Sequence, residues 1–443
     1  MLFYFCEYSI LFVALLFKIY IFSVSFIYCQ LLSMLDLKKV RENLDEYKQA
    51  LAKRHSDCDV DMILAKDDER KAIQQKVDDL KFQQKTLASQ QDYEWAKALK
   101  GQIQELENQH AALQEELKWY QLKMPNFISS NVPEWKDDTE NVEVKRVWEI
   151  PQFDFPIQDH MTLMKKYDMV DVERWVKLAW ARSYFLKNDG MLLEQAILQH
   201  ALKKMVKKGF TPFQVPNMVN PECLVWTWYF PWWEEDAYWL ERDDQWMIAT
   251  AEIPLTSYYS GEILEESDLP KKMVWVSPCY RREAWSYGKD TSGLYRVHQF
   301  MKVEQVIILP ADVKMSDQFH DFILENSMEL VEDLWLPYRL LQLCSGDLAL
   351  WKYNSHDIEC WMPSRNSYGE THSATSFLDF QARRLNLRYR AEDWTIKYCY
   401  TLNNTVVASP RILISLIECN QTADGKIKIP ACLQEYMWKD IIE

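Results

Sequence analysis

Cys279-Tyr280-Arg281-Arg282-Glu283-Ala284 is followed by Arg296-Val297-His298-Gln299-Phe300-Met301-Lys302-Val303-Glu304. The second stretch opens a β-rich run at 302–309, and two more such runs stand at 273–276 and 357–362. Helical patterns at 192–208, 317–334 and 411–418 are interleaved with them. Short strands mixed with helices in this way predict an α+β domain built on an antiparallel sheet flanked by helices. The chain contains neither G-x-G-x-x-G nor G-x-x-x-x-G-K-[ST], so a dinucleotide fold and a P-loop nucleotide site are unsupported.

Towards the N-terminus the pattern changes. Residues 126–160, rich in Pro, Asn and Asp, read as a linker, and residues 161–443 as the α+β domain. Met124-Pro125-Asn126 ends a helical region, because Pro cannot continue a helix. Before it, Ile73, Val77, Leu80, Gln84 and Leu87 step by threes and fours. So do Ala96, Leu99, Ile103, Leu106, His110, Leu113 and Leu117. This is a heptad seam. The polar break Ser89-Gln90-Gln91-Asp92 turns the two helices into an antiparallel hairpin, each arm roughly 45 Å long at about 1.5 Å per residue. On the seam alone, a dimerisation coiled coil is the simpler reading. Lys81, Lys85, Lys97 and Lys100 near the tip, against Asp92 and Glu94, lean towards a phosphate contact, although a solvated charged face would look the same. Residues 34–56 read as one further helix, and 34–125 as one helical arm.

Residues 1–33 carry only Glu7 and Lys18 as charges, and the stretch 8–33 is long enough to span a bilayer. It has no basic leader and no small-residue cleavage site, so it makes a poor signal peptide. A second Met at Met34, where charged amphipathic sequence begins, favours an upstream-extended start over a membrane anchor.

A length of 443 residues suits two or three domains. Hydrophobic content of 48% and charged content of 26% are ordinary for a globular protein. The net charge of −15 excludes broad electrostatic binding to nucleic acid, so any RNA contact needs a local basic surface. The ten cysteines stand singly, without a C-x-x-C pair, which indicates neither a zinc site nor a disulfide framework but reduced thiols.

The quoted stretches resemble motif 2 of class II aminoacyl-tRNA synthetases, in the form found in the seryl-tRNA synthetase family. Thr250-Ala251-Glu252, Asp357-Ile358-Glu359-Cys360-Trp361-Met362-Pro363, Glu370-Thr371-His372-Ser373, Asp379-Phe380-Gln381-Ala382-Arg383-Arg384 and Thr401-Leu402-Asn403-Asn404 continue the likeness. Pro410-Arg411 resembles motif 3, and Gly209-Phe210-Thr211-Pro212 through Pro216 resembles motif 1. The resemblance spans 34–443, and six motifs in the family's order make it specific.

That resemblance implies ATP-dependent activation of L-serine to seryl-adenylate and transfer to tRNA(Ser), with tRNA(Sec) as a further acceptor where the host has one. The attack of a carboxylate on the α-phosphate brings two anions together, so positioning and fixed cations matter most. Arginine suits the task because its planar fork grips oxyanions in two places. The resemblance puts Arg281 at the α-phosphate and the serine carboxylate, and Arg411 at the far end of the triphosphate. It puts Phe300 under adenine, and Arg282, Glu283, Thr371, His372 and Ser373 among the ATP contacts. Glu370 is implied to serve ATP through Mg2+, a hard cation suited to oxygen ligands, with Glu359 as a lesser partner. Thr250, Ala251, Glu252 and Arg281 are implied around serine, with Glu304 and Thr405 at its hydroxyl. A buried site built to bond an OH rejects analogues that lack one. His298 and His372 are not paired at ligand spacing and read as structural. The family likeness also implies a cytoplasmic homodimer whose arm grips tRNA, with no membrane role. A catalytically impaired paralogue that binds RNA or partner proteins is the alternative.

One departure is patterned. There are 9 Gly and 19 Trp in the chain. Trp135, Trp148, Trp175, Trp180, Trp226, Trp228, Trp275, Trp285, Trp335, Trp351, Trp394 and Trp438 stand where the family has Gly, whereas Trp361 matches a family Trp. Turns such as Glu392-Asp393-Trp394-Thr395 ask for φ > 0, which Gly supplies freely. Strain or overpacking of about 1–3 kcal/mol per site, at a dozen sites, would consume a total stability of roughly 5–15 kcal/mol. We therefore expect that the gene uses UGA as a glycine codon and that these tryptophans are UGA codons translated as tryptophan. Taken literally, Trp226, Trp228 and Trp285 are expected to crowd the serine pocket and the motif 2 loop.

Overall fold

The computed structural model describes residues 35–89, 93–178, 181–284 and 293–443. The apolar stretch 1–33, most of the polar break at 89–92, Trp180 and Trp285 fall outside them. The chain forms two compact units, one ending at Pro125 and the other running from Asn126 to Glu443.

In the first unit, α1 (Leu37–Glu42) and α2 (Leu44–Lys53) precede the long helices α3 (Val60–Ser89) and α4 (Tyr93–Lys123). The single helix expected over 34–56 is broken at Asn43, whose backbone (φ −128°, ψ 42°) leaves the helical region. Lys66 pairs with Glu116 and Lys81 with Glu107, so positions advancing along α3 meet positions retreating along α4. The two helices are therefore antiparallel. Val77, Ile103 and Leu117 of the heptad seam are buried, while most positions off it are exposed. Arg41 ties α1 to α3 through Asp67 and Asp68, and the buried Tyr47 donates its hydroxyl to Pro125 O at 2.9 Å.

The second unit is organised by an eight-stranded sheet. Its strands are β1 (Val142–Val147), β2 (Thr211–Phe213), β3 (Lys271–Tyr280), β4 (Gln299–Leu309), β5 (Tyr338–Gln342), β6 (Asn354–Met362), β7 (Ser367–Leu378) and β8 (Tyr400–Ala408), in the order β1-β5-β6-β7-β8-β4-β3-β2. Neighbours are antiparallel except β2, which runs parallel to β3. Thus β1, one edge of the sheet with β2 as the other, lies within the stretch expected to be a linker. Its residues are mostly exposed, which is why composition hides it.

Alternation along β4 builds two cores. Val303, Ile307 and Leu309 face one side, where α5 (Asp189–Lys207), α7 (Val313–Asp333) and α9 (Arg411–Cys419) pack. Val306 and Ile308 face the other, against α6 (Glu252–Ser257) and α8 (Phe380–Leu385). The same alternation puts Phe300, Lys302 and Glu304 on the second side, just beyond the apolar part.

Of the ten anomalous tryptophans among the described residues, five adopt left-handed backbone: Trp148 (φ 64°), Trp228 (φ 76°), Trp335 (φ 57°), Trp394 (φ 66°) and Trp438 (φ 56°). Trp95, Trp119, Trp232, Trp233, Trp239, Trp246 and Trp361 do not. Trp335 and Trp438 close helices at the position where glycine ordinarily serves. Trp394 and Trp438 are about four-fifths exposed, so packing there offers little to offset the strain. The fold thus asks for glycine at positions marked out by family likeness alone.

Candidate active site

A cleft enclosing about 510 Å³ of empty space, part of it open solvent, is lined by Arg281, Glu283, Tyr295, Val297, Phe300, Lys302, Glu370–Ser373, Thr405 and Ala408–Arg411. Arg281 leaves the end of β3 and Arg411 is the first residue of α9, and both face this one cleft. The Arg281 guanidinium lies 5.3 Å from the Phe300 ring centre, and its Nε donates to Ala249 O at 3.4 Å. Arg411 donates through Nη1 to Glu370 O and Glu370 Oε2, both at 3.1 Å, and through Nε to Tyr295 O. Tyr295 stacks 4.4 Å beneath it. Burial opposes the Arg411 charge, but Glu370 outweighs it and holds the guanidinium pKa above its ordinary value. Burial likewise pushes the Glu370 carboxyl up, and Arg411 with Lys352 and Arg281 pulls it below the ordinary range. This end of the cleft is polar and cationic, and a flat aromatic ring stands beside it.

The other end is buried. Glu304 Oε2 pairs with Lys302 and accepts from Thr405 Oγ1 at 3.4 Å, while Oε1 accepts from Asn403 at 3.0 Å. Register explains the meeting, since Glu304 and Thr405 are partners across β4 and β8. Lys302 Nζ also donates to Thr250 Oγ1 at 2.6 Å. Glu252, at the start of α6, accepts from Gln381 Nε2 at 2.8 Å and from the Tyr229 hydroxyl at 3.2 Å. Burial, and after it the charge of Glu304, raises the Glu252 carboxyl to about 7. The result is a buried cluster of carboxylates and hydroxyls joined to the cleft wall through Lys302.

Residues 34–128 match the seryl-tRNA synthetase N-terminal domain model, and residues 238–420 match the tRNA synthetase class II core domain model (G, H, P, S and T). The serine--tRNA ligase of Deinococcus radiodurans is 40% identical, over 91% of this chain and 97% of its own. That of Methanocella arvoryzae is 39% identical, over 91% and 99%. The crystal structure of seryl-tRNA synthetase from Pyrococcus horikoshii complexed with ATP superposes with a TM-score of 0.88 at 33% identity, covering 92% of this chain and 99% of that one. The chain belongs to the seryl-tRNA synthetase family.

Within this synthetase the expected site residues are not equally placed. Arg281, Glu283, Phe300, Glu370, Thr371, His372, Ser373, Thr405 and Arg411 line the cleft. Thr250, Ala251, Glu252 and Glu304 are buried, Thr250 and Glu304 being tied to the cleft wall through Lys302. Arg282 is absent from the wall: its guanidinium lies 5.8 Å from the Tyr238 ring and its backbone N–H donates to Asp236 O. Glu283 has left-handed backbone (φ 53°) and its carboxylate meets Arg296 at 3.2 Å. His372, pushed by burial to about 4, is neutral beside Thr371. His298 lies 3.2 Å from Arg281 O, a structural contact. Sequence reasoning assigned no role to Lys302 or Tyr295. The period-two spacing of Phe300, Lys302 and Glu304 was the available signal for Lys302.

Among the described residues no tryptophan lines the cleft, while Trp226 packs against the apolar cluster that holds Ala251. Trp228 turns away into a stack with Trp351 (4.2 Å between ring centres) and Trp232 (5.5 Å). Among the described residues no three acidic, His or Cys side chains are grouped to hold a metal, so a magnesium ion would have to draw on one or two carboxylates and the phosphates of ATP. The Glu370 carboxylate is 44% exposed, and Asp357 Oδ1, within its electrostatic reach, is buried without a hydrogen-bond partner. Glu359 is engaged by Arg339 at 2.6 Å, which weakens its claim as the lesser partner. On the arm, Lys85, Lys97 and Lys100 are exposed, while Lys81 is held by Glu107.

Proposed function

We propose that this chain is a serine–tRNA ligase that activates L-serine with ATP and passes the seryl group to tRNA(Ser). The observation that carries the reading is one cleft with Arg281 and Arg411 on its walls, Phe300 beside Arg281, and the Thr250–Glu252–Glu304–Thr405 cluster at its closed end. Phe300 offers adenine a flat apolar face. Arg411 grips the distal phosphates, while Arg281 lies between the α-phosphate and the serine carboxylate and offsets the charge that builds as they join. Glu252 receives the serine ammonium, and Glu304 with Thr405 reads its hydroxyl. Glu370, with Asp357 nearby, would hold Mg2+, which when bound neutralises phosphate charge. Thr371, His372 and Ser373 shape the wall behind the nucleotide. Lys85, Lys97 and Lys100 contact the tRNA backbone, and the protein acts as a cytoplasmic homodimer. Transfer to tRNA(Sec) would use the same chemistry.

ATP–pyrophosphate exchange tests the reading. Exchange that requires serine and is not supported by alanine or threonine is expected. Equal exchange with and without serine would instead leave the impaired paralogue.

A further inference from the structure

Lys302 is buried (5% exposed), lines the cleft and touches three of the residues placed around serine. It forms an ion pair with Glu304, donates to Thr250 Oγ1 at 2.6 Å, and lies 3.5 Å from Thr405 Oγ1. Asn403 bonds the other oxygen of Glu304, so both oxygens of that carboxylate have protein partners and one acceptor site on Oε1 remains for a hydroxyl. Thr250 Oγ1 also accepts from Glu252 N at 3.2 Å, so its lone pairs are spoken for and its proton must point to another acceptor. Glu252, by contrast, is held only by the neutral groups of Gln381 and Tyr229. The charged groups that act on it are Glu304 and Lys302, and Arg281 acts on its hydrogen-bond partner Tyr229. Two carboxylates and one ammonium therefore share a buried space, and the ammonium is committed to Glu304. A buried charge without a partner is costly, so the arrangement favours an arriving cation at Glu252.

Resting on the serine–tRNA ligase reading, we propose that Lys302 is a positioning residue for serine selection: its ammonium locks Glu304, Thr250 and Thr405 into one donor–acceptor arrangement and leaves Glu252 as the carboxylate for the serine ammonium. No chemical step passes through Lys302. Its removal frees Glu304 to turn or to compete with Glu252, so the loss should fall on serine and spare the nucleotide.

The test compares Lys302→Met and Lys302→Arg with the full-length parent in serine-dependent ATP–pyrophosphate exchange. For Lys302→Met the serine KM should rise about 10–100-fold, the loss of one buried charge-assisted contact, with the ATP KM held within about twofold. The pH at which the serine KM levels off should move upward, because Glu252 loses the Lys302 ammonium that favours its charged form. Lys302→Arg should restore that pH profile while losing about tenfold in discrimination against threonine, since a planar fork cannot copy the three contacts. A Lys302→Met serine KM within twofold of the parent would overturn the proposal, and so would equal rises in both KM values. If Lys302→Met does not fold, as read by thermal unfolding, Lys302→Arg decides: unchanged discrimination against threonine overturns it. A parent without serine-dependent exchange would sink the ligase reading itself, which separates the two failures.

Discussion

The two ends of the cleft handle charge in opposite ways. At the nucleotide end the Arg411 and Glu370 side chains are 20% and 44% exposed, open to an arriving ligand. At the serine end the Lys302 and Glu304 side chains are 6% and 0% exposed, and both oxygens of Glu304 already have protein partners. Open charges can be removed at little cost to folding, whereas closed ones are part of the fold. Catalysis and stability should therefore separate along the length of one cleft.

The largest effect belongs at the open end. Arg281→Ala should lower serine-dependent exchange about 100–1000-fold while the unfolding midpoint in urea stays close to the parent's. A collapse in stability would erase the contrast. Glu304→Ala should do both, costing about 3–5 kcal/mol in urea unfolding because Lys302 is left buried and unpaired, and abolishing serine saturation. Protonation gives a finer probe. The Glu252 carboxyl, raised to about 7 in the fold against 4.5 for the free side chain, is stabilised neutral when folded. Its contribution to stability is thus full below about pH 4.5 and is lost as pH rises through 7. Serine docking needs it ionised, so the serine KM should fall about tenfold per pH unit up to 7 and flatten above, a slope that Glu252→Gln should abolish. The smallest effect lies on the arm. Alanine at Lys85, Lys97 and Lys100 together should weaken tRNA binding and shallow its salt dependence, with serine–ATP exchange unchanged.

Much of this was legible in the sequence. Heptad spacing foretold the paired long helices, and β4 is recoverable from its unbroken β-rich run. The break at Asn43 was hidden because nothing around it departs from helical composition. The edge strand β1 was hidden because its exposed residues follow no apolar alternation. In the site, residues that must meet a ligand carry motif signatures. The position of the Arg282 side chain was not legible, because adjacency in a motif says nothing about which way a side chain turns, and here it lies over Tyr238. Lys302 was passed over because a buried lysine differs from a surface one only through its partners, and those partners are brought in by register.

The tryptophans offer another test. Trp438→Gly should stabilise the chain as written by about 1 kcal/mol, since an exposed side chain is exchanged for an unstrained left-handed cap, whereas Trp361→Gly should destabilise it. The native protein should weigh less than the 53.0 kDa of the printed chain, and tryptophan found at the twelve positions would reject the codon reading.

The left-handed tryptophans carry a consequence for the gene outside its own cell. In a host where UGA is a stop signal, synthesis would halt at the first anomalous position, after Glu134. The product would keep the helical hairpin and none of the strands that build the cleft. Such a fragment could touch tRNA but never charge it, so a gene acquired by another lineage would deliver a competitor in place of a catalyst.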